Sequence, residues 1–464
     1  MTLEKYDAVV IGGGPGGYVA AIRLAQHGKK TALVEREFIG GECLNYGCIP
    51  SKILIENVKH FYKLSTSRLL RNGKIDWNAL QEKKKKLVNK IREGVEYLLR
   101  GYNVKIYKGE AKIINNLIIN IENGSGTQTR IHGGNIVIAT GTSPISLPTI
   151  PYDHTRIISA REALELPTIP SSLLIVGGGA IGLELGTIYA KLGSKVTIVE
   201  IMDQLLPGIE KDIVRLVERR LRQLGVNIFL SSRIVSSEVK EDKVRAFIET
   251  SNETIEHVSD YALVSVGKRP LVSQMGLDNI GLELNEKGFI KVDEYCRTNL
   301  ENVYAVGDIT GPPFLAHKAS RQGIIAADNI SGEKKIFDAS TIPLAIFTDP
   351  EIAMVGLTKD EAEKRNYKVK VARFSYSSLG RAIAEEELEG FIRIISDQES
   401  GTLLGVQIVG SRATEIIGEA ALAVKNKLTI DELADTIHPH PTFSELYSEV
   451  AEAALFKPIH MLVK

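Results

Sequence analysis

The chain has 464 residues, 44% hydrophobic and 25% charged, an ordinary globular composition with length for roughly two to four domains. Lysine plus arginine equals aspartate plus glutamate, 57 against 57, so no net positive field is available to hold a nucleic acid or an anionic membrane. Three cysteines, Cys43, Cys48 and Cys296, are too few for a secreted disulfide framework.

Met1 to Tyr6 lacks the charge pattern and length of a signal peptide. No run approaches the roughly 18–20 apolar residues of a membrane helix. A cytoplasmic protein without membrane contact is expected. The first pattern along the chain is an apolar strand, then Gly12, Gly14 and Gly17 in a G-x-G-x-x-G turn, an amphipathic helix ended by Gly28, and a second apolar strand closing on Glu35. This is a βαβ dinucleotide-binding unit. Its first glycine makes the turn, the second lets backbone approach a pyrophosphate at the helix N-terminus, and the third lets helix and strand pack closely. The terminal acid takes the ribose hydroxyls.

Gly40 to Lys52 then reads GGECLNYGCIPSK. A local cysteine pair in an intracellular protein points to catalysis or metal. Zinc wants four ligands, and no further Cys-x-x-Cys or histidine partner accompanies Cys43 and Cys48, so no metal is expected. A disulfide across so short a loop is easily reduced, which favours redox cycling. Pro50, Ile53, Leu54 and Val58 predict a helix whose N-terminus lowers a thiol pKa. Farther on, Leu80, Leu87, Val88, Ile91, Val95, Leu98 and Leu99 recur at helical spacing, placing Lys83 to Lys86 on a solvated outer face.

Prolines 144, 148, 151, 167 and 170 mark a joint, after which the first pattern returns. Tyr6 to Glu35 lies over Ser171 to Glu200 without a gap, so that Gly177, Gly179 and Gly182 repeat the fingerprint and Glu200 repeats Glu35. Two in-register copies imply two dinucleotides. No arginine or lysine directly follows Glu200 to receive a 2′-phosphate, so the second site should prefer NAD to NADP. From about residue 343 strand-like runs (Phe391 to Ile395, Leu403 to Val409) precede helical ones (Glu415 to Val424, Ile430 to Ala434, Leu446 to Leu455), which predicts a separate α+β domain.

These motifs, with Ala139-Thr140-Gly141, Tyr304 to Asp308, Leu315 to Ala319 and His438 to Glu445, make the chain resemble the pyridine nucleotide-disulfide oxidoreductases over essentially its whole length. Leu44, Ile49 and Ser51 lean towards the lipoamide branch, and no C-terminal cysteine pair is present. The resemblance implies an α/β fold with two Rossmann-like dinucleotide-binding domains and a C-terminal α+β dimerisation domain. The implied division is 1–148 for FAD, 149–272 for NAD, 273–342 completing the FAD site and 343–464 for dimerisation. It further implies FAD on Gly12, Gly14, Gly17, Glu35, Lys52, Ala111, Thr140, Gly141, Asp308 and Ala316, and NAD on Gly177, Gly179, Gly182, Glu200, Val235 and Gly267.

By the same resemblance Cys48 faces the flavin, Cys43 exchanges with substrate, and Lys52 pairs with Glu184. Oxidising a dithiol demands a base near neutral pH, which is histidine's range. His440 is the candidate because Glu445 could orient its ring, and the family's base reaches the other subunit of a homodimer. The implied activity is oxidation of dihydrolipoamide, as carried by lipoyl domains of a 2-oxo-acid dehydrogenase or glycine-cleavage complex, with reduction of NAD. An NADH-dependent reductase of another small disulfide and a flavin-bearing assembly subunit are the alternatives. His438 reads as scaffold and Cys296 as an inert packed thiol. Four positions depart from the family pattern. Glu42 stands where threonine is usual, and a carboxylate there cannot donate to a phosphate. Lys268 stands for an expected arginine, and Arg321-Gln322 for acids.

Overall fold

A computed structural model describes residues 3–67, 73–115, 117–272, 275 and 280–462. The first positions of the predicted central segment, 273, 274 and 276–279, lie outside the described residues. The chain divides into two compact units, residues 1–169 with 263–337, and residues 170–262 with 338–464.

In the first unit five strands lie side by side in the order Val303–Ala305, Ile136–Ile138, Ala8–Ile11, Thr31–Glu35 and Lys105–Lys108, all parallel. Ala8–Ile11 is buried along its whole length, the near-continuous apolar run expected of a parallel strand covered on both faces. Helix α1 (Pro15–Gln26) packs closely on helix Ala316–Ile330, and glycine makes this possible: a Cβ on Gly323 would meet the Gly16 carbonyl oxygen at 2.3 Å. A second sheet, Glu4–Tyr6, Gln128–Gly133, Ile118–Glu122 and Glu110–Asn115, adds its inward isoleucines 113, 119, 121 and 131 to the core beneath.

Three helices lie between Thr31–Glu35 and Lys105–Lys108: α2 (Gly41–Tyr46), α3 (Cys48–Thr66) and α4 (Trp77–Gly101). Asp76 caps α4, its carboxylate accepting the Ala79 N–H at 3.0 Å. The outer-face assignment for the lysines needs correction at one position. Lys83, Lys85 and Lys86 are exposed, but Lys84 is 97% hidden, because it stands one turn from Leu80 and Val88 on the inward stripe. Its ammonium donates to the Leu164 carbonyl and to Gln81, which satisfies the buried charge. Conversely Leu87, Ile91 and Leu98 are exposed.

In the second unit Ser172–Val176, Lys195–Val199 and Asn227–Phe229 form a parallel arrangement with helices Ala180–Lys191 and Lys211–Gln223. An antiparallel meander follows, Arg233–Lys240, Lys243–Glu249 and Thr254–Ser259. The C-terminal part of the unit is an antiparallel five-stranded sheet in the order Leu344–Ile346, Glu351–Gly356, Leu403–Gly410, Phe391–Asp397, Val369–Ser375. Helices Ala413–Lys425, Ile430–Asp435 and Glu445–Ala454 complete its core around Phe374, Tyr376 and Tyr447. No described helix is long and apolar enough to cross a membrane.

Candidate functional site

The glycine turns have the shape their sequence demands. Gly12 sits at φ +102°, and a Cβ there would come within 2.3 Å of the Ala139 carbonyl oxygen. A Cβ on Gly17 would fall 1.8 Å from the Gly12 oxygen, so helix and strand touch backbone to backbone. Gly14 caps α1, and the nearest atom to a Cβ added there is Gly41 Cα at 4.0 Å, leaving the helix N-terminus open. Glu35 turns back on the loop: one carboxylate oxygen accepts the Gly13 N–H at 2.6 Å and the other the Glu37 N–H at 2.7 Å.

Gly141, at φ +71°, also faces open space, while the Thr140 hydroxyl donates to Leu271 at 3.3 Å. Asp308 lies in the 3₁₀ turn Gly307–Thr310 and accepts from the Thr142 hydroxyl at 3.4 Å. Ala316 opens its helix, and Ala111 is buried in strand Glu110–Asn115. An open helix N-terminus and chain segments that only glycine lets approach are what a pyrophosphate needs, so this cradle fits a dinucleotide such as FAD.

The glycine turn of the second unit repeats the backbone shape and hydrogen bonds of the first. Gly177 is at φ +104°, and Glu200 accepts the Gly178 N–H at 2.6 Å and the Met202 N–H at 2.9 Å. Gly179 caps helix Ala180–Lys191 with nothing within 4 Å of an added Cβ, and Gly182 is buried in the first turn. These residues fit NAD by the same reasoning. Val235, from the same predicted set, lies part-exposed on strand Arg233–Lys240. Gly267 belongs to the first unit, at φ +129°, with its carbonyl accepting the Ile145 N–H at 3.1 Å. Glu184 is buried in its helix and accepts the Phe347 N–H at 3.0 Å.

Cys43 lies in α2 and Cys48 begins α3, with Gly47 between the two helices; the thiols are hydrogen-bonded to each other. Gly41, at φ +57°, brings α2 so close to the first glycine turn that a Cβ would meet Gly14 Cα at 2.7 Å. Asn45 holds α2 by donating to the Ile39 and Gly41 carbonyls at 3.0 and 2.9 Å. The cysteine pair is thereby fixed beside the dinucleotide cradle.

The two thiols titrate apart. The hydrogen bond from Cys43 lowers the pKa of Cys48 against the opposing effect of burial, and Lys52 and Lys268 add to the lowering while Glu42 opposes it. Cys43 moves up, through the same hydrogen bond and through burial. Of the two, Cys48 is therefore the thiol that ionises more readily, with the α3 N-terminus favouring the same order. Cys296 is wholly buried, and burial pushes its thiol up to about 12, the state of an inert packed side chain.

His440 Nδ1 lies 2.8 Å from a carboxylate oxygen of Glu445, whose other oxygen accepts the Thr442 N–H at 2.8 Å. The ring is 76% exposed, so an imidazole already oriented by a carboxylate points away from its own fold. His438, two residues earlier, is buried against Tyr447 and bonded to Glu419 at 2.7 Å. That hydrogen bond raises its pKa despite burial.

One feature of the site escaped the motifs. Glu42 and Lys268, two departures from the family pattern, form an ion pair at 2.6 Å. Opposite charges at two unusual positions were the available signal.

The pyridine nucleotide-disulphide oxidoreductase model matches residues 6–323, and that family's dimerisation-domain model matches residues 342–451. The chain is 41% identical to dihydrolipoyl dehydrogenase of Geobacillus stearothermophilus, over 99% of this chain and 98% of that protein. It is 40% identical to the Haloferax volcanii protein of the same name, over 98% of each. Among solved structures, LpdA of Mycobacterium tuberculosis superposes with a TM-score of 0.91 at 28% identity, over 97% of this chain and 99% of that one. The HOCl-induced flavoprotein disulfide reductase RclA of Escherichia coli, as its Cu(II) complex, gives 0.88 at 28% identity, over 97% of this chain and all of that one.

Proposed function

The chain belongs to the pyridine nucleotide-disulphide oxidoreductases, and from this we propose that it is a homodimeric oxidoreductase that converts dihydrolipoamide and NAD⁺ to lipoamide, NADH and a proton. The observation that carries the reading is the hydrogen-bonded Cys43–Cys48 pair, with Cys48 the more readily ionised, on a segment pressed against the first glycine turn.

The family's cofactors are FAD and NAD. Gly12, Gly14, Gly17, Glu35, Thr140, Gly141, Asp308 and Ala316 would hold the first, with Lys52 and Ala111 beside it, and Gly177, Gly179, Gly182, Glu200, Val235 and Gly267 the second. When bound, they supply two-electron acceptance from the dithiol and hydride transfer to the nicotinamide.

The chain's own groups do the thiol chemistry. Starting from the Cys43–Cys48 disulfide, a substrate thiolate attacks Cys43 Sγ, the bond between the two cysteines breaks, and Cys48 leaves as thiolate. The second substrate thiol then displaces Cys43 and releases lipoamide. His440 of the partner subunit takes the proton of the first attacking thiol, hands it to Cys43 as that sulfur is displaced, and takes the proton of the second thiol, held in one tautomer by its carboxylate. Lys52 favours the thiolate at Cys48.

Residues 1–148 and 273–342 serve FAD, 149–272 serve NAD, and 343–464 make the dimer. Cysteines kept cycling fit a cytoplasmic location, and the substrate would arrive on the lipoyl domain of a 2-oxo-acid dehydrogenase or glycine-cleavage complex. The test is a substrate panel on the purified holoenzyme. Dihydrolipoamide with NAD should turn over far faster than glutathione disulfide or coenzyme A disulfide with NADH, and the reverse order would sink the reading.

A further inference from the structure

Beside the cysteine pair three ionisable side chains converge from separate parts of the first unit. Glu42 comes from α2, one residue before Cys43; Lys268 from strand Lys268–Pro270; Asp308 from the turn Gly307–Thr310. Lys268 Nζ lies 2.6 Å from Glu42 and 3.9 Å from Asp308, with 14% of its side chain exposed. A nearly buried cation thus stands between two carboxylates, at a site whose chemistry adds a third anion, the Cys48 thiolate.

The charges do not balance without Lys268. Burial raises the pKa of Asp308, and Glu42 raises it further against the lowering effect of Lys268. Burial opposes the charge on Lys268, yet Glu42 and Asp308 together outweigh it and hold the ammonium protonated. The groups facing Cys48 are Cys43, Lys52, Glu42 and Lys268, with Tyr18 of α1 beside Cys43. Within this set Glu42 repels a thiolate and Lys268 attracts it. Coulomb attraction in a partly buried setting is worth several times its value in water, so the sign of each neighbour shifts the thiolate population that the Cys43 hydrogen bond and burial set.

We propose that Lys268 and Glu42 are a coupled positioning pair for the dithiol: Lys268 tethers the Glu42 carboxylate beside Cys43 and offsets its negative charge there. The proposal rests on Cys43 and Cys48 being the working pair. It assigns a reason to both unusual residues at once, since an acid next to Cys43 is tolerated because a lysine neutralises it.

The test is the pH profile of iodoacetamide alkylation at Cys48 in dithiothreitol-reduced holoenzyme, with the modified peptide identified by mass spectrometry. Lys268→Met should move the midpoint up, and alkylation at a pH below it should slow about tenfold for every whole pH step the midpoint climbs. Glu42→Gln should move it down, Lys268→Arg should restore the wild-type profile, and the double variant should lie between the singles. A profile unmoved by Lys268→Met in protein that keeps its flavin and its circular dichroism overturns the proposal, as do midpoints that move the same way in both singles. Should Lys268→Met fail to fold, Glu42→Gln alone decides by its direction. This readout uses no dihydrolipoamide, so it stands or falls separately from the substrate assignment.

Discussion

The Glu445 carboxylate bridges His440 Nδ1 and the Thr442 amide, each at 2.8 Å, so one side chain at the first position of helix Glu445–Ala454 both orients the ring and fixes the turn that carries it. Glu445→Ala should lower kcat for dihydrolipoamide oxidation by about a hundredfold with KM nearly unchanged, because the ring loses its orienter and not its contact with substrate. Steady-state kinetics beside a thermal melt checks this. A loss confined to the melting temperature would leave Glu445 only a structural part.

Cys48→Ser should reduce turnover on the order of a thousandfold or more, since no other described thiol is placed to replace it. Cys296→Ser should change turnover less than about twofold, its thiol being wholly buried elsewhere in the core. Side-by-side assays decide, and full activity in Cys48→Ser would falsify the exchange mechanism.

Glu200 accepts two backbone N–H groups, from Gly178 and Met202, and so holds the turn that faces the second nucleotide. Glu200→Ala should raise KM for NAD about tenfold, on the order expected for losing a charge-assisted hydrogen bond, and should narrow the preference over NADP. KM values for both nucleotides measure it; an unchanged NAD-to-NADP ratio would count against the assignment.

Lys84 provides a pH prediction away from the chemistry. Burial lowers its pKa to about 8. The unfolded chain therefore binds the extra proton between about 8 and the ordinary lysine value of ~10.4, so stability rises as pH climbs through that window and is least below it. Compared with Lys84→Met, the wild type should gain no more than about 3 kcal/mol from about pH 7.5 to about pH 10 in urea unfolding. A difference that shrinks with rising pH would contradict this.

Much of the architecture was legible because its signals are local. Glycines with positive φ, the apolar strand before each turn and the acid after it identify both nucleotide units from sequence, and the helices Ala413–Lys425 and Ile430–Asp435 match their apolar periodicity. The His440–Glu445 bond was legible for the same reason, being five residues long in sequence. What could not be read depends on distant chain. Lys84 looks solvated until the Leu164 carbonyl is placed opposite it, and Glu42 looks misplaced until Lys268 arrives from a strand over two hundred residues away. Periodicity assigns a face to each residue but says nothing of which partner, if any, waits on it.

The close crossing of Gly16 and Gly323 has a consequence for how the molecule is made. The first unit is built from two stretches, 1–169 and 263–337. During synthesis α1 leaves the ribosome early, but the helix that seals it and the edge strand Val303–Ala305 follow only after the stretch 170–262 has emerged. The opening nucleotide unit is thus begun first and closed late, and until then α1 holds a bare glycine seam that only a later part of its own chain can fill.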